Sequence, residues 1–316
     1  MKFIVIFAIL VLVASCTNDR MLFNHFKNKF NKRYTANEEA MRFKIFQGNL
    51  KRIREHNAGD HSYTMGVNQF TDLTNKEYQQ KYLSPIQYEV APRAQEKVQI
   101  VGGQFNWVDH GAVTPIKDQG QCGSCWTFST TGMIEGCTVA DGGSLISLSE
   151  QEIVDCDNGG YGCSGGWPYQ AMEWVTQNGG LCSEQDYPYV AYDQSCQSSS
   201  CNSVTTLNSH AQYSSETQMM NEIQSKGPIS IAVDASGDGF MNYNGGVYSG
   251  DDCSQTQLDH AILIVGYNTD ANPPYWIVKN SWGTSWGLSG YIWMEYGQNT
   301  CGLATQAWYG SGCHNL

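Results

Sequence analysis

Phe23, Phe26 and Phe30 recur at helical spacing among polar residues, which predicts a short amphipathic helix over residues 20–32. A longer helix is predicted next. Glu38, Arg42, Phe46, Asn49, Ile53 and Asn57 are separated by 4, 4, 3, 4 and 4 residues, steps that keep all six on one face. Asn57-Ala58-Gly59 ends that helix, and residues 66–72, GVNQFTD, read as a strand and turn. Residues 84–104 hold Pro85, Pro92, Gly102 and Gly103 with no clear period, and read as an extended connector open to cleavage. From Phe105 onward Gly, Trp, Tyr and Cys become frequent. Residues 126–140 predict a buried helix stopped by Gly142-Gly143. LSEQEIVD (148–155) opens with a Ser-x-x-Glu start and predicts a short helix ending near Cys156, and 167–178 predicts another. Beyond Gly227 the pattern turns to strands: ISIAV (229–233), AILIVGY (261–267), YWIVKN (275–280) and YIWME (291–295). A helical half followed by a β half predicts an α+β protein of two lobes.

The 316 residues are 41% hydrophobic, enough for a packed core. The apolar run at positions 3–14 is too short to span a bilayer and is followed by small residues, so residues 1–15 read as a secretory signal peptide. Val13-Ala14-Ser15-Cys16 also resembles a bacterial lipoprotein cleavage site, a reading that the rest of the chain does not favour. Behind such a leader, the twelve cysteines suggest disulfides in an oxidising compartment. Without Cys16 eleven remain, and an odd count leaves at least one thiol unpaired. No Asn-x-Ser/Thr acceptor occurs, so the chain itself does not support glycan-dependent sorting.

Charge divides the chain. Residues 17–100 carry 14 Lys/Arg against 9 Asp/Glu, a net +5, and residues 101–316 carry 3 against 21, a net −18. So acidic a body argues against nucleic-acid binding. The contrast predicts that the front part docks on the rest electrostatically.

Cys122 and Cys125 stand three apart in QGQCGSCWTFS (119–129). A redox pair usually sits in a βαβ context, which is not visible here. A zinc site needs further ligands at matching spacing, and the chain offers no second Cys-x-x-Cys. The remaining reading bridges Cys122 elsewhere and leaves Cys125 free at a helix N-terminus, where the thiolate is favoured. A thiolate nucleophile needs a base and a group to orient it. Among the histidines, His260 stands at the mouth of the apolar strand AILIVGY. Asn280, in KNSWG, is placed to fix its tautomer, with Trp282 to shield the bond.

CGSCW, LDHAILIVGY and VKNSWGTSWGLSGY together resemble the papain family of cysteine proteases, with His260 and Asn280 following Cys125 at close to that family's spacing. The front part resembles the inhibitory prosegment of the cathepsin L-like branch, through the six residues from Glu38 to Asn57 and through Gly66, Asn68, Phe70 and Asp72. The resemblance implies a helical left lobe (about 111–211) and an antiparallel β-barrel-like right lobe (about 212–316 plus the N-terminal arm), preceded by a prosegment over 16–100. It implies Cys125 as nucleophile in a thiolate–imidazolium pair with His260, and Asn280 as orienter. Gln119 and the Cys125 N–H become the oxyanion donors. Gly165 and Gly166 pair with extended substrate, and Trp286 forms a wall on the leaving-group side. Trp167, Pro168, Ala232, Leu258 and Gln306 form the pocket for the residue two before the cut, which predicts a preference for Leu, Phe or Val there.

The resemblance also implies the disulfides Cys122–Cys163, Cys156–Cys196 and Cys253–Cys301. It leaves Cys137, Cys182, Cys201 and Cys313 with three possible pairings. It implies peptide substrates, the chain's own prosegment as inhibitor, cystatin-like inhibitors as partners, a monomer, and no metal or organic cofactor. It points to the secretory pathway, ending in a lysosome-like acidic vacuole or outside the cell. The rival readings are a catalytically silent relative that binds proteins and a thiol–disulfide oxidoreductase using Cys122 and Cys125.

Overall fold

A computed structural model describes residues 18–84, 88–89 and 102–316. The apolar leader 1–15, Cys16, and most of the predicted connector lie outside the described residues.

Helix α1 covers residues 18–29 and buries Phe23 and Phe26 against Phe43, Phe46 and Leu50 of α2 (Ala36–Asn57). Thr35 caps α2 by accepting the Glu38 N–H. Glu38 and Glu39 in its first turn and Arg54 and His56 in its last complement the helix dipole. Only a third of the face read from the spacing is apolar. Phe46 and Ile53 pack, while its polar members clamp the next segment. Asn49 Nδ2 donates to the carbonyls of Thr71 (2.8 Å) and Leu73 (2.9 Å). Arg42 donates to the Asp72 carbonyl and to Glu77, and Asn57 to the Met65 carbonyl. Strand β1 (Tyr63–Met65) lies just upstream of the predicted 66–72, which is turn. Helix α3 (Asn75–Tyr82) was not predicted, because Tyr78 is its one buried residue. Its signal was the cap: Thr74 and Glu77 form a reciprocal capping box.

In the body, β3 (Gln104–Asn106) leads to α4 (Cys125–Ala140), which is buried on nearly every side. α5 (Glu150–Cys156) starts from Ser149, but its predicted box is half-made. Ser149 accepts the Glu152 N–H, whereas the Glu152 carboxylate turns to the Cys182 N–H at 2.7 Å. α6 (Pro168–Asn178) begins with proline and ends at a left-handed Gly179. After β4 (Thr205–Thr206) and β5 (Ser209–Gln212) come α7 (Glu216–Lys226), β6 (Ile229–Val233), α8 (Asp238–Met241) and β7 (Tyr243–Tyr248). β8 (Gln257–Leu258), β9 (His260–Asn268), β10 (Tyr275–Lys279), β11 (Tyr291–Glu295), β12 (Ala307–Ser311) and β13 (His314–Asn315) complete the chain.

The main sheet runs β1-β7-β11-β10-β9-β6-β12-β5, with β3 also on β9. It corrects the barrel-like expectation: among the described residues β1 and β5 are free ends of the ladder, so the sheet is open. One of those ends, β1, belongs to the front segment, which therefore extends the body's sheet by a strand. A second strand from the front, β2 (Tyr88–Glu89), pairs antiparallel with β8. α4 packs against β9 and β6, and the face between them holds Met133, Leu263 and Val265 in one apolar cluster. No helix among the described residues is long and apolar enough to cross a membrane.

Candidate active site

Cys125 is the first residue of α4, and it is the one free cysteine among the described residues. The turn before it is held from outside. Cys122 is bridged to Cys163, and the Gly123 N–H donates to the Cys163 carbonyl at 2.8 Å. A side chain at Gly123 would meet that carbonyl at 2.6 Å, so glycine is required for the approach. His260 opens β9 and Asn280 follows β10, the neighbouring strand. His260 Nε2 lies 2.8 Å from Asn280 Oδ1. The Ser281 N–H donates to the same oxygen at 2.7 Å, which leaves Nε2–H to donate and Nδ1 bare. Nδ1 is buried with no protein partner. Trp282 stacks on the imidazole, centroids 4.5 Å apart.

A cavity of about 20 Å³ brings Cys125 and His260 together with Asp259, Gly166, Trp167, Pro168, Ala232 and Leu258. Trp167, Ala232 and Leu258 form an apolar cluster of their own. Gly166 is pressed on the Trp126 ring, where an added Cβ would stand 2.6 Å away, and Gly165 has a left-handed φ of 110°. Gln306 does not line that cavity: its side-chain oxygen accepts the Trp308 indole N–H at 3.2 Å. Trp286 is fully buried, donating its indole N–H to the Phe240 carbonyl. Gln119 is also fully buried. Its Nε2 donates to the Cys122 carbonyl, and its Oε1 accepts the Ser281 hydroxyl at 2.7 Å. Ser281 thus holds both the glutamine and the asparagine, a role the sequence reading missed although the residue lay within KNSWG.

The front segment covers this site. The Tyr82 carbonyl accepts from Gln119 Nε2 at 3.3 Å, and the Ser84 N–H donates to the Asp259 carbonyl at 2.8 Å. Phe70 and Tyr78 set their edges on Trp282, at 5.2 and 5.7 Å. Gln69 Nε2 donates to the Trp282 carbonyl. The cavity left over is about the size of one water. Burial under this cover pushes the Cys125 thiol up to about 12, although backbone N–H groups, that of Ala261 foremost, oppose it. Burial likewise pushes His260 down to about 4, against the pull of Asn280. Burial under the cover thus favours the uncharged form of each group. The expected electrostatic docking also finds little contact. Among the described residues one ion pair joins the two parts, Arg52 to Asp238 at 3.4 Å.

The cysteines stand as five bridges: Cys122–Cys163, Cys156–Cys196 and Cys253–Cys301, with Cys137–Cys313 and Cys182–Cys201 taking up the four left open. With Cys122 bridged to Cys163, Cys122 and Cys125 are not a dithiol pair.

A lone thiol at a helix start, sharing a cavity with an asparagine-oriented imidazole under a segment of the same chain, fits a cysteine hydrolase held in a covered form. Residues 101–311 match the model for the papain family cysteine protease, and residues 23–78 match the cathepsin propeptide inhibitor domain (I29). The chain is 43% identical over 305 residues to digestive cysteine proteinase 1 of Homarus americanus, covering 90% of this chain and 92% of that one. It is 40% identical over 292 residues to cathepsin L2 of Homo sapiens, covering 87% of each. Its fold is similar to digestive procathepsin L 3 of the Tenebrio molitor larval midgut, with a TM-score of 0.79 and 36% identity over 93% of this chain and 99% of that one. It is similar also to a recombinant stem bromelain precursor, with a TM-score of 0.82 and 34% identity over 93% and 99%. The chain belongs to the papain family of cysteine proteases, in its cathepsin L-like branch, as a zymogen that carries its own inhibitory prosegment.

Proposed function

We propose that Cys125 is the nucleophile of an endopeptidase, His260 its general base and acid, Asn280 the group that orients His260, and Gln119 the side-chain oxyanion donor. The observation that carries this reading is the bare Nδ1 of His260 sharing one small cavity with the free thiol. Once the prosegment leaves, water returns, and the pair can transfer the Cys125 proton to His260. The sulfur attacks a peptide carbonyl. Negative charge gathers on the carbonyl oxygen, at the place the Tyr82 carbonyl now holds beside Gln119 Nε2. His260 then gives its proton to the leaving amine. Water, deprotonated by His260, hydrolyses the thioester and restores the thiol.

Trp167, Pro168, Ala232 and Leu258 support a preference for Leu, Phe or Val two residues before the cut. Gln306, tied to Trp308, adds no charge for arginine. The prosegment spans 16–100, and its removal by cleavage in 92–104 releases a mature enzyme over 101–316, with lobes at about 111–211 and 212–316. Release occurs in acid. The relatives named as digestive enzymes support a role in protein digestion, reached through the secretory pathway, with the mature enzyme a monomer open to cystatin-like inhibitors.

The test is to acidify the purified zymogen with a mild reductant and a peptide reporter carrying Leu or Phe at that position. Wild type runs beside Cys125→Ala, with a thiol-directed epoxide as control. Activity should appear together with loss of the front third and be absent from the variant. A processed, folded wild type without activity would sink the reading in favour of a binding protein. Faster cleavage after Arg than after Leu or Phe at that position would sink the specificity.

A further inference from the structure

The side chain of Gln119 is anchored by Ser281, but the main chain that carries it needs a separate anchor. The Tyr189 hydroxyl donates to the Gln119 carbonyl at 2.8 Å. A phenol has one proton, so its oxygen is left as an acceptor, and the Ser124 hydroxyl lies 2.6 Å from it. The order is then fixed: Ser124 O–H to Tyr189 O–H to Gln119 C=O. Ser124 is the N-cap residue of α4, immediately before Cys125, and its side chain makes no capping bond to the helix. A serine at that position usually caps; here its hydroxyl is given to the tyrosine instead. Tyr189 is itself held on two sides. Phe128, one turn along α4, sets an edge contact on its ring at 4.9 Å, and the Tyr189 N–H donates to Glu184 at 3.0 Å. Burial keeps the phenol protonated far above neutral pH. Tyr189 does not line the cavity that holds Cys125 and His260.

We propose that Tyr189 is a positioning residue for the oxyanion hole: one hydroxyl ties the loop bearing the Gln119 amide to the turn bearing the Cys125 sulfur and N–H, and so sets the separation of the two oxyanion donors. This rests on the assignment of Gln119 as a donor. The hole is filled by oxyanion only in the transition state, so loosening the tie lowers kcat and leaves KM nearly unchanged.

The experiment is a double-mutant cycle in the processed enzyme, with concentrations set by active-site titration. It compares wild type, Tyr189→Phe, Gln119→Ala and the double variant, and reads kcat, KM and the affinity for a peptide aldehyde, whose thiohemiacetal oxygen occupies the hole. Phenylalanine keeps the ring against Phe128, and a melting curve checks the fold. Removing a whole oxyanion donor costs about 10²–10³ in kcat, so Tyr189→Phe, which displaces one, is expected to lower kcat about 10-fold. KM should stay within about twofold, and aldehyde binding should weaken in step with kcat. In the Gln119→Ala background the same change should add less than about twofold. Full additivity, or an unchanged kcat for Tyr189→Phe, would overturn the inference while leaving Gln119 in place. An unchanged kcat for Gln119→Ala would overturn the oxyanion assignment itself. If Tyr189→Phe misfolds, Ser124→Ala removes only the second link and should repeat the non-additive pattern at smaller size; additivity there overturns the proposal equally.

Discussion

Residues 18–84 contain no cysteine, and seven ion pairs lace them internally, from Arg20–Glu39 through Arg42–Glu77 to Arg54–Asp19. The body reverses this. It holds five disulfides, and among the described residues its ion pairs are the two that Lys117 makes with Glu135 and Glu150. The body's few cations leave it little else to pair with.

The carboxyls with shifted titration also differ between the two parts. Burial pulls Glu77 upward, but bonds from Thr74 and Arg42 outweigh it and hold the carboxyl below its ordinary value. The bond from Lys27 does the same for Glu39. Groups held low stabilise a fold above their unfolded pKa, and that stability is lost as pH falls through the folded value. In the body, burial raises Asp259 to about 8, and burial followed by the Glu150 charge raises Glu184 to about 7. Groups held high stabilise in full below their ordinary range near 4, and that stability is lost as pH rises through about 7–8. Glu77 and Glu39 predict that acid loosens the inhibitor; in the body Asp259 and Glu184 predict the reverse, while Glu135, held low by Lys117 and Lys279 against its burial, opposes them.

The largest test of this contrast removes apolar contact between the parts. Phe70→Ala deletes a fully buried ring that touches Tyr78, Tyr82 and Trp282, at an expected cost of about 3–5 kcal/mol. The unprocessed zymogen should then cleave reporter. Phe23→Ala, confined to the prosegment's own cluster, should melt α1 and α2 while leaving the processed enzyme untouched. A silent Phe70→Ala zymogen would show that backbone bonds alone hold the cover.

Next in size is the bridge between Cys137 and Cys313, 176 residues apart. Replacing both by serine should cost the processed enzyme about 2–4 kcal/mol, read as a lower Tm. Prosegment helicity in the zymogen should not change, and if it fell with the body the two regions would not be independent.

The pH response follows. The Tm of the processed enzyme should fall as pH rises through about 7, with Glu184→Gln flattening that slope. The zymogen's prosegment signal, followed by proteolysis, should be lost as pH falls instead. Parallel curves for the two would break the contrast.

The smallest effect belongs to Arg52→Ala. This exposed crossing pair should contribute under about 1 kcal/mol and leave the pH of processing unchanged. A large shift, or release by salt alone, would restore electrostatic docking as the main hold.

Local pattern made much of this molecule readable. Alternation and apolar runs marked the strands around His260 and Asn280, helical spacing marked α2, and CGSCW marked the start of α4, because each is written in neighbouring residues. Where elements were missed, as with α3 and α7, their caps were legible at Thr74–Glu77 and Ser215–Gln218, but their apolar faces were too sparse to see. The body's shape was read as barrel-like, yet whether its sheet closes depends on the two ends of a ladder meeting, which no local pattern encodes. The same holds for the partners of Cys137 and Cys182, the bare nitrogen of His260, the Tyr82 carbonyl beside Gln119, and the hydroxyl that Tyr189 sets between Gln119 and Ser124. Each of those is a distance between residues far apart in the chain. The sequence by itself determined which groups and elements are present. Only the packing of α4 against the sheet, with the prosegment laid across both, decided which of them meet, because hydrogen bonds and burial depend on separations in space.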